Sequence, residues 1–420
     1  MQTPHQFDVA IIGAGPAGSV AAALLHKQGF RVCVLERQHF PRFVIGESLL
    51  PYCMDILDEA GLRQVVDATP GFQYKNGAAF TWGKRYTWFD FTDKFTPGPG
   101  TTFQVQRAVF DKVLIDAVIG KGVEVRFGDG VVSYQDHDDG VHLGIESPNG
   151  NYTLDARFVL DASGYGRVLP RLLGLDRPST LAPRMAVFTH LDDHIVSDEF
   201  DRNKILISTH PQYRDVWSWF IPFSNGRSSI GIVGTPERVG KAIETEGEEA
   251  ALRRFIHEIP MLDRLLVNAV WDNGVPFRSL ANYSASVTAL HGPHFALLGN
   301  AAEFLDPVFS SGVTVAMQSS RLATRLLGRQ LRGESVDWQK EFVEPLMVGV
   351  EAFRTYVLGW YDGSFQDVIY CDDERVDPEI RRMISSILAG YAWDESNPFV
   401  SKSQRRLKAL AEVCGKARPE

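Results

Sequence analysis

The stretch Phe7-Asp8-Val9-Ala10-Ile11-Ile12-Gly13-Ala14-Gly15-Pro16-Ala17-Gly18 decides the fold. Phe7 to Ile12 is an apolar, β-branched run ending at a glycine, the pattern of a buried strand. Residues 16–28 are rich in Ala and Leu at helical spacing, and Gly29 is placed to close a helix. Residues 31–35 form a second short apolar run. Strand, helix and strand in immediate succession predict a parallel, doubly wound α/β sheet. Gly13 permits the tight turn, Gly15 lets backbone approach a pyrophosphate, and Gly18 lets helix and strand pack closely. Pro16 and Ala17 open the helix whose N–H groups and dipole face the phosphates. Glu36 lies eighteen positions beyond Gly18, where an acidic side chain reaches ribose hydroxyls, and Arg37 follows it. Together these residues predict a dinucleotide site.

Working outward, composition excludes several classes. The 420 residues carry 43 Lys+Arg against 52 Asp+Glu, a net charge of −9, which argues against a nucleic-acid binder. Hydrophobic residues at 44% and charged residues at 23% suit a soluble protein with several structural regions around a large core. A run of about eighteen apolar residues is missing, so no membrane span is expected. The start lacks a basic segment followed by an apolar one, so no signal peptide is expected either. Cys33, Cys53, Cys371 and Cys414 lie far apart, without metal-ligand spacing or a disulfide framework, which predicts a reduced, cytoplasmic protein. His291 and His294 fall in a turn, and no histidine pair suggests a metal site.

Beyond the first strands, residues 49–59 read as a helix with Ser48 as its cap. Residues 78–91 alternate like an antiparallel sheet, 108–119 are helical, and 123–127, 141–145 and 158–160 are strands. Short strands across 185–233 predict a second antiparallel sheet, followed by a strand at 295–298 and a helix over 313–331. The tail beyond Trp338 is helical. Its aromatics Trp360, Tyr361, Phe365, Tyr370 and Trp393 either cover the core or shape a substrate mouth. The expected partition is a discontinuous nucleotide domain (1–74, 100–180 and 286–335), a substrate-domain sheet (75–99 and 181–285) and a helical C-terminal region (336–420).

Three further segments are Val105-Gln106-Arg107-Ala108-Val109-Phe110-Asp111, Val159-Leu160-Asp161-Ala162-Ser163-Gly164 and Leu298-Gly299-Asn300-Ala301-Ala302. In this order they resemble segments of the FAD-dependent oxidoreductases related to the aromatic hydroxylases, which implies a GR2-type FAD-binding fold. The resemblance implies that Arg107 borders the dinucleotide, that Asp161 and Gly164 lie near the pyrophosphate, and that Asn300 stands where relatives place an Asp against the ribityl chain. An amide there still accepts and donates a hydrogen bond. Gly46-Glu47-Ser48-Leu49-Leu50-Pro51 resembles the loop that frames the flavin, with Ser48 at the cofactor. A second GxGxxG between strand and helix is missing, so the FAD is expected to be reduced in trans by a separate flavin reductase.

Trp217-Ser218-Trp219-Phe220-Ile221-Pro222 matches the WxWxIP motif of the flavin-dependent halogenases, where bulky rings wall the flavin from the substrate. Lys75, in Tyr74-Lys75-Asn76-Gly77-Ala78-Ala79-Phe80-Thr81-Trp82, resembles the catalytic lysine of that family. Such an amine holds hypohalous acid or forms a haloamine, and so confines and delivers electrophilic halogen. Phe304-Leu305-Asp306-Pro307-Val308-Phe309-Ser310-Ser311-Gly312-Val313 resembles the loop beside the isoalloxazine ring. There Pro307, Ser311, Gly312 and Val313 are expected at the flavin, with the N–H groups of Ser311 and Gly312 also offered to a halide. The tryptophan halogenases carry a glutamate in this loop, and the corresponding place is Phe309. The resemblance therefore points to the branch acting on phenolic or pyrrolic rings, free or tethered to an acyl carrier protein, with FADH2, O2 and chloride or bromide. An aromatic or polyketide monooxygenase, a geranylgeranyl-reductase-like oxidoreductase and a non-catalytic flavoprotein of a biosynthetic assembly are the rival readings. An acidic carrier would need a local basic patch, for which Arg381, Arg382, Arg405 and Arg406 are the candidates.

Overall fold

A computed structural model describes residues 6–419; the residues preceding Gln6, read above for a leader, lie outside that range. The fingerprint strand Phe7–Ile12 lies parallel between Val32–Glu36 and Tyr152–Asp161, with Glu124–Phe127 beyond the former. Phe295–Leu297 adds in parallel to the C-terminal part of Tyr152–Asp161. The N-terminal part of that strand instead turns into an antiparallel hairpin of Gly140–Glu146 and Gly130–His137. Ile12 sits opposite both Leu35 and Asp161, so Gly13, Glu36 and the loop after Asp161 emerge together at the carboxyl edge of the sheet. That edge is where open parallel sheets bind ligands. The helix Pro16–Lys27 covers one face, and Ser320 of the helix Ser311–Leu331 donates to Ala17 O at 2.9 Å.

The second sheet runs Arg278–Ala281, Met185–Asp192, Arg227–Gly234, Trp217–Pro222, Lys204–Thr209, Gly77–Trp82 and Arg85–Asp90. All neighbours are antiparallel except Lys204–Thr209 with Gly77–Trp82. Side chains alternate across a strand, and the two faces have different neighbours. Phe220, Leu206, Ile230 and Ile232 pack with the helices Glu248–His257 and Pro260–Leu265. Trp217, Trp219 and Ile221 instead join the main core, which runs from the first sheet and its helices into the C-terminal helices.

Those C-terminal helices are tied to the second sheet through its backbone. Tyr370 donates to Thr81 O at 2.8 Å, Ser385 to Asp90 O at 2.8 Å, and Arg381 to Trp88 O at 2.7 Å. Trp360 and Phe365 are fully buried, so these two aromatics cover the core. Three details depart from the sequence reading. The helix expected over 49–59 begins at Tyr52, after Pro51, so Ser48 does not cap it. The strand Gly130–His137 and the helices over 241–265 were not read from the sequence.

Candidate functional site

The nucleotide end is built on glycine geometry. Gly13 has φ of +97°, and a Cβ there would stand 2.6 Å from Ala162 O. A Cβ on Gly18 would stand 1.9 Å from Gly13 O, so the helix closes on the strand only because none is present. At Gly15 a Cβ would meet nothing nearer than Arg42 Nη2 at 3.7 Å. This is an open cradle before the helix N-terminus, with a cation beside it. Arg42 pairs with Asp111 at 3.2 Å and approaches Glu36 at 3.8 Å, while its buried Nε has no partner. Glu36 accepts from the N–H groups of Ala14 and Gln38, each at 2.9 Å. Arg37 is exposed, its stem against Gly130.

Arg107 is buried in a two-point pair with Asp111, at 2.7 and 3.0 Å, and donates to Ile45 O at 3.0 Å and to Gly46 O at 3.3 Å. It therefore ties the loop before Ser48 to the helix Arg107–Gly120. Asp161 turns its carboxylate inward, accepting from Ser163 N at 2.9 Å and Leu169 N at 2.7 Å. Gly164, with φ of +59°, starts the turn that brings Arg167 to Asn300 O at 3.2 Å. Asn300 Oδ1 would lie 3.9 Å from a Cβ on Gly312, so the Asn300 turn and the start of the helix Ser311–Leu331 converge. Pro307 opens the short turn Pro307–Phe309, Ser310 reverses the chain with φ of +56°, and Ser311, Gly312 and Val313 form the first helical turn.

Lys75 is fully buried on the strand Gln73–Lys75. Its Nζ donates to Ser48 Oγ at 2.7 Å and Leu49 O at 2.8 Å, and lies 5.5 Å from the Phe91 ring centre. Both hydrogen-bond partners are uncharged, so burial dominates and pulls the amine down to about 7. Ser48 thus serves the lysine from the loop that Arg107 anchors.

Trp217 and Trp219 lie on one face of their strand, ring centres 6.1 Å apart, whereas alternation turns Pro222 to the other face at the strand end. Trp219 donates to Ser229 Oγ at 3.1 Å and Trp217 to Tyr361 Oη at 3.0 Å. Phe309 packs edge-on against Trp360 and Phe365, at 5.9 and 5.3 Å, so its place is an apolar wall. Sequence reading missed two buried polar pairings. Glu47 accepts or shares a proton with His190 at 2.8 Å, its second oxygen unpartnered. Asp306 accepts from Tyr361 at 2.8 Å, and burial raises its carboxyl to about 6. Both carboxylates lie inside segments quoted above, but their partners come from distant strands and helices. Among the described residues no group of His, Cys, Asp and Glu has the makings of a metal site, and no helix is long and apolar enough to cross a membrane.

Residues 6–341 match the family model described as an FAD binding domain. A 1H-pyrrole-2-carbonyl-[peptidyl-carrier protein] brominase of Pseudoalteromonas luteoviolacea is 30% identical over 408 residues, covering 92% of this chain and 93% of the relative. The chain belongs to the flavin-dependent halogenases. A tryptophan 2-halogenase of Chondromyces crocatus is also 30% identical, over 80% of this chain, and the chain spans 63% of that relative's length. A solved flavoprotein/dehydrogenase from Cytophaga hutchinsonii superimposes with a TM-score of 0.91 at 44% identity, covering 97% of this chain and 98% of that one. The halogenase family is a class of FAD-dependent oxidoreductases, and the residues here fit that cofactor. The Gly15 cradle, the helix N-terminus at Pro16 and the unpartnered Arg42 Nε suit a pyrophosphate.

Proposed function

We propose that this chain halogenates an electron-rich aromatic ring, phenolic or pyrrolic, free or carried by an acyl carrier protein. The observation that carries this reading is Lys75. A fully buried amine with only neutral acceptors is costly to the fold, and no carboxylate pairs with it to offset the cost. Only a neutral amine attacks hypohalous acid, and a value of about 7 leaves a large neutral fraction near neutral pH. This favours haloamine formation over simple hydrogen bonding by an ammonium.

Gly13, Gly15, Gly18, Glu36, Arg42 and Arg107 hold the dinucleotide, Asn300 the ribityl chain, and the turn Pro307–Val313 the isoalloxazine edge. Bound and reduced by a separate flavin reductase, FAD supplies the oxidation of halide with O2. The chain's own residues do the rest. Ser311 and Gly312 offer N–H groups to the halide, Trp217 and Trp219 keep flavin and substrate apart, and Lys75 confines the electrophile. With Phe309 in place of a carboxylate, the ring must be activated enough to lose its proton unaided, as phenols and pyrroles are. The −9 charge makes a carrier depend on local basic surface. Arg381 is committed to Trp88 O and Arg382 to Glu379, which leaves Arg405 and Arg406 exposed for that role.

The test is to incubate the protein with FAD, a flavin reductase, NADH, bromide or chloride, and a trapping phenol or pyrrole, with products read by mass. Halogenated product dependent on both O2 and halide is expected. Hydroxylated product formed equally with and without halide, or substrate reduction without O2, would overturn the reading.

A further inference from the structure

Asp306, Tyr361 and Trp217 form one hydrogen-bonded chain that joins three parts of the molecule. Asp306 precedes the flavin-side turn, Tyr361 lies in the C-terminal helix Glu344–Asp362, and Trp217 starts a central strand of the second sheet. Chemistry fixes the direction of each bond. The indole N–H of Trp217 is donor only, so Tyr361 Oη accepts it at 3.0 Å. The phenol proton must therefore point to Asp306 Oδ2, at 2.8 Å. Asp306 Oδ1 is occupied by the Val308 N–H at 3.0 Å, and Tyr283 reaches Oδ2 at 3.4 Å. Arg184 lies over the Tyr361 ring, its Cζ 3.8 Å from the centre, and two of its buried nitrogens have no hydrogen-bond partner.

We propose, resting on the halogenase reading above for the role of the tryptophans, that Asp306 and Tyr361 are positioning residues that lock the Trp217 indole in place. The charged carboxylate orients the Tyr361 hydroxyl, and the oriented hydroxyl holds the indole. The wall between flavin and substrate is thus set from the C-terminal helix. Protonation of Asp306 on Oδ2 reverses the chain's polarity. The neutral acid then donates toward Tyr361 Oη and competes with the indole for it.

The groups facing Asp306 are Arg184, Tyr361, Tyr283 and Tyr165, contributed by separate elements. Arg184, the Val308 N–H and the O–H groups of Tyr361 and Tyr283 favour the charged form, while burial dominates and opposes it. Loosening is therefore expected as pH falls through about 6.

The test uses the full FAD-loaded protein with 15N-labelled tryptophan, the Trp217 indole resonance being assigned through Trp217→Phe. In the wild type this resonance should titrate with a midpoint near pH 6. Asp306→Asn keeps an acceptor for Tyr361 but cannot ionise, so it should abolish the titration. Tyr361→Phe should move the resonance toward that of a free indole. It should also lower halogenated product per flavin oxidised about fivefold, the worth of one hydrogen bond, with hydrogen peroxide released instead. A wild-type indole resonance that ignores pH, or one unmoved in Tyr361→Phe, overturns the proposal; Asp306→Asn carries the test should Tyr361→Phe not fold. A wild type that fails to halogenate while the titration persists overturns the assigned function and leaves the positioning intact.

Discussion

Lys75 and Asp306 are two buried ionisable groups that the same force moves in opposite directions. Burial disfavours charge, so the amine falls to about 7 and the carboxyl rises to about 6. Their settings differ in what surrounds the charge. Lys75 meets two acceptors and an aromatic face, and neither acceptor carries charge. Asp306 meets two phenols, a backbone N–H and a nearby guanidinium. In the roles proposed above, the difference separates a reagent from a brace. The neutral amine is left with an unshared pair to offer, whereas the carboxylate's oxygens are already engaged by the Val308 N–H and by two phenols.

The largest effect that would break this comparison is on Lys75. Lys75→Met should lower halogenation at least about a hundredfold, as loss of a group acting directly on the reacting atoms does, with flavin absorption unchanged. It should also raise the thermal midpoint, since a buried amine gives way to an apolar chain of similar length. Retained halogenation in this variant would remove the lysine's assigned role.

Next comes pH-dependent stability, where the two groups have opposite signs. The folded value for Lys75 lies below its ordinary 10.5, so between about 7 and 10.5 the native state binds fewer protons than the unfolded chain. Stability therefore rises with pH across that window and is lost as pH falls through about 7. The folded value for Asp306 lies above its ordinary 3.8, so stability falls as pH rises from about 4 through about 6. Each contribution is on the order of a few kcal/mol. Chemical denaturation over a pH series should show Lys75→Met flattening the alkaline limb and Asp306→Asn the acid one. If both variants flatten the same limb, the comparison fails.

A third expectation concerns rate. Single-turnover halogenation limited by the amine should increase as pH climbs through about 7 and then level off. A rate that falls over that range would mean that the ammonium is the working form. The smallest effect is at Phe91. Phe91→Leu removes the ring 5.5 Å from Nζ and should reduce the preference for the charged amine by about 1 kcal/mol, shifting the rate profile slightly toward acid.

How much of this was legible in the sequence depended on range. The fingerprint, its strands and its helix are local, and local periodicity with glycine spacing carries them. The strand Gly130–His137 was missed because it lies at a sheet edge with most side chains outside the core, so its apolar alternation is weak. The position of Ser48 before an apolar run predicts a helix cap, but Pro51 delays the helix and leaves the hydroxyl to Lys75. Asp306 reads in sequence as part of a loop, yet its partner Tyr361 is 55 positions away, and Trp217 is 144 from Tyr361. Nothing in a window of sequence marks such pairs. The identity of Lys75 was visible, but its isolation from counter-charge was not.

One close approach in the second sheet bears on how this site can change by mutation. Gly231, on the strand beside the tryptophan motif, would bring a Cβ within 2.4 Å of the Trp219 ring. Residue 231 and the indole are thus a single steric unit, and the space one occupies is denied to the other. A larger residue at position 231 is closed off unless Trp219 shrinks and the strand carrying Phe188 also shifts, because the same Cβ would stand 2.8 Å from Phe188 Cβ. The order of substitutions, and not only their identity, then governs which side chains this part of the sheet can accept.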